Sequence, residues 1–323
     1  MADDREFTAR GAFTRVCRLS LPMAGTYFVF LLLKGLEFVL MDESRPPEFE
    51  EHFTAFIDLL GFSEVSAEAD SDRRQNVLAL LVSLAALRSE FNIESPPDHP
   101  GTMYMKPAVS TFSDHIVISY PFEQISAGNG SDESRTARYV FYSFKSLLTE
   151  IARKALSVGL LIRGGATIGN LYHSGGVIFG EALVDAYKIE SRTSVYPRVV
   201  LSSKVCNRES WMNEHASNLH RGQDGLYYFD YYRELVFSDH FLELVSSSPA
   251  RLGPDWKKNI KARFEGVIGP IAMNLEDLKE KGKQTELSKW AWFAHEFRSA
   301  LERVPAETLA ALGLSLDAIP WKK

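Results

Sequence analysis

Two aspartates stand where a carboxylate has little reason to be unless it does something. Asp58 interrupts the apolar run FIDLLGF, and Asp114 follows a serine in TFSDHIVIS, just ahead of the β-branched run Ile116-Val117-Ile118. A carboxylate inside an apolar strand carries a large desolvation penalty unless it is paired, protonated or ligating a cation. Taken singly, each reads as a strand-end or turn aspartate. Brought together, they make a hard, oxygen-rich pair suited to Mg2+ or Mn2+. Gly61-Phe62-Ser63 follows Asp58 and opens a helical stretch, so free backbone N–H groups at Phe62 and Ser63 can hold a phosphate. Read alone, that glycine equally well just ends the strand. His115 and His173 lie near turns without a partner at ligand spacing, and read as ordinary surface residues.

The elements that must position these residues follow from periodicity. HFTAFIDLLGF (52–62) reads as a buried strand stopped by Gly61, and residues 72–91 as a helix with Val77, Leu80, Leu81, Leu84 and Leu87 at helical spacing. Ser71 or Asp72 can cap it. After a Pro-rich loop (92–101), residues 103–121 read as a hairpin with Ser113-Asp114 at its tip. A glycine-bearing turn (127–133) precedes an amphipathic helix over 139–156. A second hairpin combines LLIRGGATIG, a turn over 170–176 and VIFG, and is followed by a helix (182–191) and a strand (198–202). This order predicts an α+β, ferredoxin-like (βααβαββ) domain, an antiparallel sheet with helices on one face. In such a sheet the end of the first strand lies beside the turn between the second and third, so Asp58 and Asp114 converge. Beyond residue 207 the pattern predicts a mostly helical extension, with helices over 256–271 and 287–301.

Composition narrows the class. The 323 residues are 45% hydrophobic and 24% charged, the balance of a globular protein, and the net charge of −6 argues against nucleic acid as a partner. Two cysteines, Cys17 and Cys206, are too few for a disulfide framework or a zinc cluster and suggest a reducing, cytoplasmic setting. Residues 21–40 are apolar over about a membrane-spanning length but contain Lys34 and Glu37. A helix packed on the body, or translation starting at Met41, is favoured over a membrane anchor. The domain reading is therefore an N-terminal segment (1–47), a main domain (48–206) and the extension (207–323).

The motifs carry a resemblance. AFIDLLGFS resembles the F-x-D-I-x-G-F-T motif of class III nucleotide cyclases, and TFSD the family's K-T-I-G-D hairpin. IRGGATIG resembles the L-R-V-G-I-H-T-G strand, and FGEALVDAYKIES the W-G-x-x-V-N-x-A-x-R-x-E-S helix. The similarity covers about residues 52–203, with all four motifs in family order. It implies that residues 48–206 are a cyclase catalytic domain holding two divalent cations, Mn2+ or Mg2+, on Asp58, Asp114 and the backbone carbonyl of Leu59. It also implies a head-to-tail homodimer with active sites at the interface.

The departures refine this. The family's purine-reading lysine falls on Ser110 and its partner aspartate on Val177; the V-N asparagine falls on Val184, and the transition-state arginine on Lys188. Without that Lys and Asp, the hydrogen-bond pattern for a purine edge is lost. The set is similar to the pyrimidine cyclases of bacterial Pycsar anti-phage defence, whose cyclic nucleotide activates a separate effector protein. The implied reaction converts UTP to 3′,5′-cyclic UMP and pyrophosphate; the alternatives are CTP, then a purine triphosphate, or a degenerate nucleotide-binding module. Lys188, Arg163 or Arg192 would stabilise charge at the α-phosphate. Otherwise Arg163 simply pairs with a carboxylate, and Lys188 is an exposed helix lysine.

Overall fold

Strand β1 (Glu50–Leu60) is the central strand of the fold, antiparallel to β3 (His115–Pro121) on one side and to β4 (Leu161–Ser174) on the other. The computed structural model describes residues 48–67, 71–90, 107–122, 133–212 and 218–320. Residues 1–47, with the apolar run 21–40 and Met41, lie outside the described residues, as do the Pro-rich loop and the glycine-bearing turn up to residue 132. Phe49–Lys323 forms one compact unit. Among the described residues, no helix is long and apolar enough to cross a membrane.

The protein is mixed α+β. After β1 come α1 (Phe62–Ala67), α2 (Ser71–Glu90), the hairpin of β2 (Ala108–Phe112) with β3, α3 (Glu133–Ser157), β4, β5 (Val177–Phe179), α4 (Glu181–Arg192) and β6 (Val199–Leu201). Up to this point the elements arrive in the order the sequence pattern predicts. Because side chains alternate along a strand, Phe53, Ala55, Ile57 and Leu59 of β1 face one side, where all four are buried. Val140, Phe144, Leu147, Leu148, Ile151 and Ala155 of α3 cover that side, each fully buried. Burying side chains of this size is worth roughly 1.5–3 kcal/mol apiece for the larger ones, before conformational entropy is charged against it.

Two expectations need correction. The sheet is not purely antiparallel, and its helices are not confined to one face. β4 and β6 run parallel, joined by α4, which lies on the opposite face against Phe56 and Val117 through Ala186. Glycines make that second layer fit. A Cβ on Gly165 would meet the Ala186 carbonyl oxygen and lie 2.6 Å from the Ile189 Cβ, so the helix backbone rests directly on the strand.

The C-terminal segment, expected to be mostly helical, also supplies two strands, β7 (Leu219–Arg221) and β8 (Tyr227–Phe229). They extend the sheet to the order β2-β3-β1-β4-β6-β8-β7, with β5 paired to β4. Three-residue strands are too short to show a period-two signal, which is why the sequence pattern misses them. The segment's long helices, α5 (Trp256–Glu280) and α6 (Gln284–Glu302), do form, extending well beyond the predicted 256–271 and slightly beyond 287–301. Phe229 joins the main core, 4.8 Å from Phe144 and 6.2 Å from Phe53 between ring centres. The buried Lys145 of α3 meets Glu234 at 2.7 Å and donates to the Asn218 side chain.

Gly165→Ala is expected to lower stability by about 1–3 kcal/mol through overpacking. Gly266→Ala, in α5 with nothing within 4 Å of an added Cβ, should be neutral or stabilising by up to about 1 kcal/mol. Urea unfolding of the two variants checks the contrast.

Candidate metal centre

Asp58 lies near the end of β1 on the α4 side, and the register fixes its neighbours. It pairs with His115 of β3 and with Arg163 of β4, so the three side chains line up across the sheet on one face. The tip of the β2–β3 hairpin brings in Asp114. Leu59 donates its backbone N–H to the Asp114 carbonyl at 3.0 Å, tying the tip to the end of β1. Ser113 takes the left-handed conformation, φ 55°, that so tight a tip requires; for a residue with a Cβ this costs about 1–2 kcal/mol.

Asp58, Asp114 and His115 each offer a ligand atom within 4.8 Å of the others. His115 Nδ1 is 3.1 Å from Asp114 Oδ1, and its Nε2 is 3.8 Å from Asp58 Oδ1. The imidazole stacks on Phe112 (5.4 Å, 23° between planes) and leans on Phe56 at 5.0 Å. Asp58 is buried, with 7% of its surface exposed, while the other two are partly exposed. The pairing of Asp58 with Asp114 across the strand end therefore occurs as the patterns predict. His115 does not behave as an ordinary surface residue; its strand register, invisible in the sequence, carries it to Asp58.

On the other flank, Arg163 donates Nε–H to Asp58 Oδ2 at 2.9 Å and sits 2.7 Å from Glu190 Oε1. Nε carries one proton, and it points to Asp58, so Glu190 Oε1 is an ion-pair partner without a hydrogen bond. Glu190 is 3% exposed, and burial pushes its carboxyl above the usual carboxylate range; the negative charges of Asp58 and Asp114 add to this, while Arg163 and His115 oppose it. The sequence reading did not single out Glu190. A signal was present: Ala182, Ala186 and Glu190 form the buried stripe of α4 at spacing i, i+4, i+8, and an acid continuing a stripe of alanines has to be compensated.

The other candidates are dispersed. Phe62 and Ser63 open α1 just after Gly61; Phe62 packs on the core, and Ser63 is exposed. Leu59, expected to act through its backbone carbonyl, is the exception: its backbone is tied to Asp114 beside the cluster while its side chain lies in the core. Ser110 of β2 is partly buried, and its hydroxyl lies 2.8 Å from His173 Nε2, while the Ser119 hydroxyl lies 2.8 Å from Nδ1. His173 is thus a bridging group and not the ordinary surface residue expected, because β4 runs on past the predicted turn and carries it over β2 and β3. Val177 is exposed on β5. Lys188 is not brought to the cluster. It lies off the buried stripe of α4, half exposed, with Asp185 at 3.9 Å as its neighbour.

Comparison with models of known protein families and with curated proteins finds no match to either.

Arg163 balances two buried or nearly buried acids, and breaking a buried pair by removing one partner typically costs about 3–5 kcal/mol. Arg163→Met is expected to destabilise at the lower end of that range, because the guanidinium is partly exposed. Adding Glu190→Gln should recover part of the loss, a coupling that urea unfolding of the double-mutant cycle measures.

Proposed function

We propose that the chain is a metal-dependent nucleotide cyclase of the class III kind, converting UTP to 3′,5′-cyclic UMP and pyrophosphate as a messenger to a separate effector. The observation that carries this reading is the meeting of Asp58 and Asp114, from two motifs far apart along the chain, at one strand end beside a cationic side chain. A ferredoxin-like core, βααβαββ with a C-terminal extension, is the fold that goes with it.

The donor set fits Mn2+ or Mg2+: two carboxylates and an imidazole within reach of one another, one carboxylate already buried. Two divalent cations, when bound, lower the pKa of the ribose 3′-hydroxyl and neutralise the triphosphate. Asp58 and Asp114 hold that charge in place. The 3′-oxygen attacks the α-phosphorus as its proton passes to solvent water, and the bond from that phosphorus to the bridging oxygen of pyrophosphate breaks. Arg163, held between Asp58 and Glu190, is a cationic side chain in contact with the cluster and takes the electrostatic role for the α-phosphate. Lys188 would act there only on a neighbouring subunit. Backbone N–H groups of Phe62 and Ser63 receive the terminal phosphates.

Serine at position 110, where the resembled family carries its purine-reading lysine, supports a pyrimidine over a purine. Its hydroxyl is backed by His173, whose other nitrogen meets Ser119, so the His173 tautomer sets whether Ser110 donates or accepts. A donor suits the O4 of uracil; an acceptor suits the N4 amine of cytosine, which keeps CTP as the alternative. Exposed apolar side chains support a homodimer. Phe112 and Tyr187, each about half exposed, flank Phe56, and the exposed Phe49 and Phe179 pack at 5.8 Å. A degenerate nucleotide-binding module is the second reading, favoured by the distance of Lys188 from the cluster.

Incubation of the purified protein with ATP, GTP, CTP and UTP in the presence of Mn2+, with products identified by mass, tests the reading. Cyclic UMP is expected, and a cyclic purine or no product at all overturns it. Asp58→Asn and Asp114→Asn should each reduce turnover by at least about 100-fold, the scale of losing a principal electrostatic group, while both still fold, Asp58→Asn with a lowered melting temperature because Arg163 loses a charged partner.

A further inference from the structure

The geometry points to His115 as a third protein ligand of the divalent ion, making the centre a mixed nitrogen–oxygen site that takes Mn2+ or a similar transition ion in preference to Mg2+. This inference rests on the metal reading of Asp58 and Asp114, though not on the choice of nucleotide.

The distances come first. An octahedral ion with bonds of about 2.1 Å sets adjacent donors about 3 Å apart and opposite ones about 4.2 Å apart. The 3.1 Å from His115 Nδ1 to Asp114 Oδ1 matches an adjacent pair, and no pair in the trio exceeds 4.8 Å. The imidazole is already oriented. Phe112 stacks on it and Phe56 packs against it, so little rotamer freedom remains to be lost on binding. Asp58 is oriented as well: Oδ2 is taken by Arg163, which leaves Oδ1 toward the ring. One ring nitrogen ligates and the other keeps its proton, the usual arrangement for a metal-bound histidine.

Charge balance is an independent observation. Two carboxylates, Asp58 and Glu190, share one guanidinium, a third, Asp114, lies beside His115, and the buried Glu190 Oε1 has no hydrogen bond. A dication on the Asp58 side corrects the excess and competes with Arg163 for Asp58. The single Nε–H of Arg163 then turns to Glu190, 2.7 Å away, and the orphaned oxygen is satisfied. Selectivity follows from the donor type. Mg2+ favours an all-oxygen shell and keeps its waters, whereas first-row transition ions accept imidazole readily.

Mn2+ titration of the nucleotide-free protein, followed by the free-ion EPR signal with Mg2+ as competitor, tests this without any turnover. Pulsed EPR of the bound ion should show a directly coordinated nitrogen. His115→Ala should abolish that coupling and weaken Mn2+ binding by at least the roughly 10–100-fold that even outer-shell partners cost, with Mg2+ affinity changing little. His115→Asp should restore tight binding without the nitrogen signal and move preference toward Mg2+. Melting curves confirm that the variants fold. Mn2+ binding that needs Asp58 and Asp114 but shows no nitrogen, with the same Mn2+ to Mg2+ ratio in His115→Ala, overturns the role of His115 and leaves the metal reading standing. Absence of saturable Mn2+ binding in the wild type, or binding unaffected by Asp58→Asn, overturns both.

Discussion

A carboxylate in the central strand of a sheet must find its compensation sideways, from the strands paired with it, and Asp58 does so on both flanks. Arg163 supplies a charged hydrogen bond from β4, and His115 faces it from β3. Leaving such a group uncompensated would cost several kcal/mol. The registers of β1 with β3 and of β1 with β4 are therefore bound to the chemistry. A slip of one residue on either side would turn Arg163 or His115 to the opposite face and strand the acid.

The second layer answers to the same constraint. For Glu190 to reach Arg163, α4 must lie close against β4, and Gly165 leaves no Cβ in the way. Small residues on the helix, Ala182 and Ala186, complete the close approach. Gly165 thus belongs to the site as much as to the fold: it sets the height at which a buried acid hangs over the strand. The opposite face is built differently, from large aromatic and aliphatic side chains. Phe53 there packs edge-on against Phe141 and Phe144 and stacks on Trp211, and rigidity comes from interlocking rings.

The C-terminal segment holds this arrangement from outside. Arg198, at the start of the β6 region, is buried; it pairs with Asp224 and lies over the rings of Tyr228 and Trp292. The Tyr232 hydroxyl donates to the Pro197 carbonyl at 3.0 Å. These contacts bind β6, and through it β4 and Arg163, to the second long helix, which carries Trp292. A cluster that depends on strand register benefits from a clamp on the strand that carries its cation.

The local elements and the two acids were legible in the chain before any packing was known. Period-two and period-3.6 patterns are properties of a few consecutive residues, so β1, the β2–β3 hairpin, α2, α3 and α4 could be read, and Asp58 and Asp114 stood out as charges at odds with apolar runs. The strands β7 and β8 were not legible, being too short to show a period. His115, His173 and Glu190 were not singled out as site residues either, because each gains its meaning from a partner on another element, distant along the chain. Strand register, the height of a helix over a sheet and the direction of one guanidinium proton are decided by packing across the whole chain. That packing turned a pair of unusual aspartates into a cluster with an imidazole on one side and a shared arginine on the other.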